Sequence, residues 1–268
     1  MPSSMSCSMN KVDFSALVSL MKNQVVERPN KASAGTLSGH AAGEPFEKSV
    51  YHTLKEMYPK SIFKQYEYLN DIYLRHPRHI TVEQRYALLE SPTALFLLSR
   101  GDKATKEWSP TNIFEEKQND TADIIYYDKG FYDIIDVKTR NNGKTAMPPN
   151  IISAYKLARM CALMIDNEEF DNINIDYLEI DWKEDGAKLL CTDAHHGDLF
   201  RANPEMLYIN WAAAMQIQFH VCDLDQSWNR DRETWARHYL KVFVTSAEHR
   251  CQKMREMYVV PFMKYLED

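Results

Sequence analysis

The stretch Thr121–Arg140, TADIIYYDKGFYDIIDVKTR, decides the fold. Ile124–Tyr127 and Phe131–Val137 are rich in β-branched and aromatic residues, and Asp128-Lys129-Gly130 between them is a turn signal. The segment Ala122–Lys138 therefore predicts a β-hairpin. Side chains on a strand alternate faces, so Asp136 and Lys138 point the same way, and Asp123 on the neighbouring strand can lie across from them. Val137 then points into the core and leaves its backbone carbonyl as a further oxygen ligand. Asp123, Asp136 and Val137 are thus candidate ligands for Mg²⁺, which prefers hard oxygen donors and shares phosphate oxygens. Lys138 can steady an attacking water or the phosphate as a point charge. The spacing alone suits a generic metal–phosphate site or a solvated surface hairpin.

The residues after the hairpin favour an anionic substrate. The chain has 268 residues and a net charge of −6, unlike a basic nucleic-acid coat protein. Yet from Val137 to Ile165 there is no acid, and Lys138, Arg140, Lys144, Lys156 and Arg159 give that window +5. A local positive field beside paired carboxylates suits nucleic acid, with Arg140 and Lys144 as candidate DNA contacts.

Working outward, the pattern predicts helices over Asp13–Lys22, Pro45–Tyr58, Thr81–Glu90, Thr93–Arg100, Ile151–Asp166, Arg232–Thr245 and Ala247–Tyr258. Further strands are expected at Ile175–Trp182 and Lys188–Thr192, and Leu207–Cys222 is strand-rich. The Gly/Ala-rich KASAGTLSGHAAGE and Thr139–Asn150 read as loops. No internal repeat or linker divides the chain. The expectation is a single α/β domain over 1–268, a mixed central sheet flanked by helices, with 1–30 as a peripheral segment. No apolar run approaches the roughly 18 residues of a membrane span. Five scattered cysteines without a C-x-x-C pair fit a reducing cytoplasm.

Longer strings then carry a resemblance. GTLSGHAAGEPFEK (Gly35–Lys48), KQYEYLND (Lys64–Asp71), FEEKQNDTADI (Phe114–Ile124), DVKTRN (Asp136–Asn141), PNIISAYKLA (Pro149–Ala158) and YINWAAAMQIQFHV (Tyr208–Val221) resemble the type II restriction endonucleases of the HincII/HindII family. That family lies in the EcoRV-like branch of the PD-(D/E)xK nucleases, and the likeness runs from about Arg28 onward. It implies a restriction-endonuclease-like fold with Asp123, Asp136 and Lys138 as the catalytic set. It further implies a homodimer on duplex DNA, cutting bluntly at the centre of a palindrome resembling GTYRAC, with Mg²⁺ as cofactor and a DNA methyltransferase protecting the host. The loop Lys144–Asn150 would reach the bases. Asn150, Tyr208 and Asn210 match DNA-reading positions, and Ala146 and Met147 fall where the family inserts side chains into DNA. The chain carries Ala122 before Asp123 where the superfamily motif has Pro, and Met147 where a member of the family carries Gln. The rival expectations are another PD-(D/E)xK nuclease for repair or junction resolution, and a catalytically silent DNA-binding protein on the same fold.

Other features have plainer readings. Glu44 and Glu47 open a helix near the site, where related nucleases sometimes place a third acid, but first-turn acids also suit a helix N-terminus, the reading preferred here. His195-His196 reads as a solvated polar loop, with a metal pair as the alternative. His40 could approach phosphate, and Lys117, Gln118 and Asn119 are either backbone contacts or a solvated turn.

Overall fold

The computed structural model describes residues 11–29, 39–65, 68, 80–98, 123–145 and 147–266, with residues 39–42 described by their backbone. Lys117–Asn119, Ala146 and the side chain of His40 fall outside the described residues.

The opening hairpin forms as expected. β3 (Ile124–Asp128) pairs antiparallel with β4 (Phe131–Asn141), Ile124 opposite Ile135 and Asp128 opposite Phe131. Lys129 and Gly130 take φ of 48° and 83°, a two-residue turn whose left-handed backbone matches the strand twist and explains the glycine. β4 also pairs in parallel with β6 (Ile173–Asp185), which pairs antiparallel with β7 (Lys188–Asp198). Two strands that the sequence pattern did not predict cover the edges. β1 (Val25–Glu27) lies on β7, and β2 (Ile62–Lys64) lies on β3. The order is β1-β7-β6-β4-β3-β2, a six-stranded mixed sheet.

Alternation along the strands builds two cores, one on each face of the sheet. Ile124, Tyr126, Ile135, Val137, Leu178 and Ile180 face α1 (Phe14–Met21) and α2 (Gly39–Met57). Ile125, Tyr127, Ile134, Ile175 and Tyr177 face the other set of helices. That set holds α4 (Pro92–Leu98), which comes after α3 (Val82–Leu89), together with α5 (Ala154–Asp166) and α6 (Arg232–Tyr258). A short α7 (Val260–Met263) ends the described chain. Among the described residues no helix is long and apolar enough to cross a membrane.

A second sheet sits apart, with β5 (Asn150–Ser153), β9 (Gln216–Gln218) and β8 (Ile209–Asn210) in that order.

Several boundaries differ from the sequence pattern. α2 begins at Gly39 rather than Pro45, so part of the Gly/Ala-rich stretch is helical and Pro45 lies inside the helix. An interior proline costs one backbone hydrogen bond; the burial of Phe46, Val50 and Leu54 against the sheet offsets it. Ile151 and Ile152 are strand residues, and the helix after them starts at Ala154 because Ser153 caps it, its hydroxyl accepting from the Lys156 N–H. β7 runs through His195 and His196, which are therefore not in a loop. Leu207–Cys222 contains only the two short strands β8 and β9. The two expected C-terminal helices are one, α6.

Candidate active site and DNA-reading face

Asp123 stands one residue before β3, where its own N–H donates to the Ile135 carbonyl at 3.1 Å. Its Oδ2 accepts from the Val137 N–H at 2.7 Å, which pins the carboxyl against β4. Asp136, on the adjoining strand, comes within hydrogen-bonding reach of Asp123. The Lys138 ammonium lies 2.6 Å from Asp136 Oδ2. The three residues that the hairpin suggested are therefore brought together. Val137 itself is buried in the core, as its place between Asp136 and Lys138 requires.

The electrostatics of the site carry a surplus of negative charge. Burial, then the charge of Asp136, push the Asp123 carboxyl up to about 7. Burial alone would lower the Lys138 ammonium, but the charge and hydrogen bond of Asp136, then Asp123 and Glu47, hold it above the usual lysine value. Glu47 is the residue that sequence reasoning misjudged. Because α2 starts well before it, Glu47 is no N-terminal acid; burial, then Asp123, push its carboxyl up to about 7. Two carboxyls that resist ionisation beside one ammonium form a donor set that a divalent cation would complete by taking the place of a proton. Among the described residues no group of three or more His, Cys, Asp or Glu side chains is placed to hold a metal ion. The fit therefore rests on Asp123, Asp136 and a backbone oxygen, with Glu47 as an electrostatic neighbour of Asp123 and Lys138.

β6 supplies acids on the same face, which the alternation of Tyr177, Glu179 and Asp181 in its sequence could have signalled. In the parallel ladder Glu179 is the partner of Lys138, and Asp181 the partner of Arg140. Arg140 clasps Asp181 with two hydrogen bonds, Nε to Oδ1 at 2.7 Å and Nη2 to Oδ2 at 2.5 Å, so that part of its guanidinium is engaged within the protein. Fully buried Glu179 accepts from His220 Nδ1 and from the Val221 N–H, both at 2.7 Å. It thereby ties the segment after β9 to the strand that pairs with Asp136 and Lys138.

The expected DNA-reading residues gather on the second sheet. Asn150 opens β5 and Asn210 ends β8, with Gln218 of β9 between them. Tyr208, 64% exposed, precedes β8, and Met147 stands 83% exposed on the approach to β5. Lys144 is exposed in the same connection. The two histidines form no metal pair. His196 is stacked on Phe14 at 3.9 Å and bonded to Asp176, whereas His195 turns to Asp181 on the opposite face of the sheet.

A mixed sheet that sets paired acids and a lysine at one end of its central hairpin is the layout of the restriction-endonuclease-like fold, and the chain has that fold. Comparison with known proteins gives the family. A family model described as restriction endonuclease HincII matches residues 17–266. The type II restriction enzymes HindII and HincII, both of Haemophilus influenzae, are each 58% identical over 248 residues, covering 92% of this chain and 95% of the relative. The chain belongs to the HincII restriction endonuclease family and is a type II restriction endonuclease.

Proposed function

We propose that the chain, as one nuclease domain over residues 1–268, forms a homodimer in the cytoplasm that hydrolyses both strands of duplex DNA. The site would be a palindrome resembling GTYRAC, cut bluntly at its centre in the presence of Mg²⁺. The observation that carries this reading is the contact set of Lys138, Asp136 and Asp123, with the Lys138 ammonium 2.6 Å from Asp136 at the edge of an acid-free basic stretch.

Asp123, Asp136 and the Val137 carbonyl would hold the cation. Bound there, Mg²⁺ would supply charge neutralisation at the phosphoryl oxygens and lower the pKa of the attacking water. Lys138, kept protonated by its acidic neighbours, orients that water or the scissile phosphate as a fixed positive charge. The Val137 N–H on Asp123 Oδ2 holds the first carboxylate in one rotamer, so the donor set is organised before DNA arrives. Lys144 and the remaining donor capacity of Arg140 meet the phosphate backbone, and Asn150, Tyr208 and Asn210 meet base edges. Ala146 and Met147 enter the base stack, where a thioether can wedge a flexible pyrimidine–purine step. A two-fold protein on a two-fold site gives one catalytic set per strand. Such an activity requires the host's own sites to be masked, the task of a cognate DNA methyltransferase.

Digestion of plasmid DNA with Mg²⁺, with sequencing of the fragment ends, tests this directly. The expected result is discrete fragments with blunt ends centred on GTYRAC-like sites. Ends that share no such centre would overturn the specificity. Sedimentation should give twice the 31.3 kDa of one chain, and a monomer that still cuts both strands in one encounter would overturn the dimer.

A further inference from the structure

Three amides on the second sheet are joined in series, and their order has only one solution. The Ala212 and Ala213 N–H groups both donate to Asn210 Oδ1 at 3.1 Å. A backbone N–H can face only an acceptor, so the Asn210 amide is fixed with its nitrogen turned the other way. That nitrogen donates to Gln218 Oε1 at 2.8 Å. Gln218 must then present Nε2 on its far side, where it donates to Asn150 Oδ1 at 2.7 Å. The Asn150 amide is fixed in turn, with its Nδ2 hydrogens left facing outward. Gln218 also holds the third reading residue, since its own N–H donates to the Tyr208 carbonyl at 3.2 Å.

We infer that Gln218 is a positioning residue for sequence recognition, which fixes the rotamers and the hydrogen-bond polarity of Asn150 and Asn210 so that both meet DNA as donors. The inference rests on the proposal that Asn150 and Asn210 read bases. Amide donors pair with acceptor atoms on base edges, such as purine N7, guanine O6 and thymine O4. A free Asn amide could turn over and accept from adenine N6 or cytosine N4 instead; the series through Gln218 removes that choice before binding. The turn at Ala212–Ala213 is thereby coupled to the base read by Asn150, on a different strand.

The test is the ranking of cleavage efficiency, kcat/KM, over duplexes carrying GTYRAC and every single-base variant of it. Wild type, Gln218→Ala, Gln218→Glu and Asn150→Ala are compared. Gln218→Ala frees both asparagines, and the preference for the best site over its variants should fall by about tenfold. Gln218→Glu is close to isosteric and keeps the acceptor for Asn210, but it offers Asn150 an oxygen in place of an N–H. Asn150 then turns over, its Oδ1 faces the DNA, and the order of preferred bases changes at the position it reads. A uniform loss at every site in both Gln218 variants, beside an altered ranking in Asn150→Ala, would overturn the positioning role and leave base reading intact. An unaltered ranking in Asn150→Ala would overturn base reading by Asn150 and this inference with it. If Gln218→Ala does not fold, Gln218→Glu still decides between these outcomes.

Discussion

Asp133 shows how much a single buried carboxyl can govern. It lies fully buried on the α1/α2 side of the sheet, and neither of its oxygens finds a donor. Its neighbours are Asp176, Asp198, His196 and Arg232. Burial, then the Asp176 charge, push Asp133 well above its ordinary value. Burial also pushes the neighbouring Asp176 up to about 7. The two buried carboxyls thus resist being ionised together. A carboxyl whose pKa is raised on folding contributes stability that is full below its unfolded value near 4 and is lost as pH rises through the folded value. Where the folded chain holds a proton that the unfolded chain has released, wild type should lose about 1.4 kcal/mol per pH unit. Asp133→Asn removes the titrating carboxyl at nearly constant volume. In urea unfolding its stability should draw ahead of wild type from pH 5 to pH 8; parallel pH profiles would contradict the raised Asp133 pKa. Lys138 two residues on marks Asp136, but nothing in the local sequence marks Asp133 as a buried carboxyl without a donor. Both are acids in one strand, and the packing partners of each face set them apart. The same limit left Glu47 undecided, because its approach to Asp123 depends on where α2 begins. The period-2 alternation that placed Asp136 beside Lys138 needs no such context.

At the scale of elements, the parallel β4–β6 pairing sets cations against acids, Lys138 by Glu179 and Arg140 by Asp181. Parallel neighbours come from distant sequence, so this arrangement was not legible in the hairpin itself. Glu179 then reaches out of the main sheet to His220 and Val221 and anchors the segment after β9. Glu179→Gln leaves an amide N–H2 facing one of those two donors, which should lower unfolding free energy by about 1–3 kcal/mol. Hydrogen exchange at the Val221 amide should rise several-fold above wild type at the same overall stability. Unchanged protection there would show that Glu179 does not anchor the segment. The elements that sequence reasoning drew correctly were bounded by chemistry close at hand: Lys129-Gly130 in the hairpin turn, and Thr81 at the N-terminus of α3, where it forms a capping box with Gln84. Those it misplaced were decided by distant contacts. Ile151 and Ile152 fit a helical stripe but are drawn into β5 by pairing with β9.

At the scale of the whole molecule, the proposed cutting and reading residues sit on two sheets joined through β4, the connection to β5, and the Glu179 anchor. The large sheet holds Asp123, Asp136 and Lys138 rigidly between two packed cores, and the small sheet orders the amides beside Met147. Composition and charge could place the chain only among ordinary α/β proteins with one basic stretch; the family strings pointed to DNA, and the fold accounts for why residues far apart in those strings lie together. On the proposed mechanism, water attacks the phosphorus and the 3′-oxygen leaves, with Lys138 as the fixed positive charge beside Asp136 and Asp123. Single-turnover cleavage of a GTYRAC duplex in Mg²⁺ by wild type and Lys138→Ala, with DNA affinity measured alongside in the absence of metal, tests it most directly. The predicted result is a fall in the cleavage rate of at least about 10²–10³-fold with affinity nearly unchanged, and full cleavage by Lys138→Ala would contradict it.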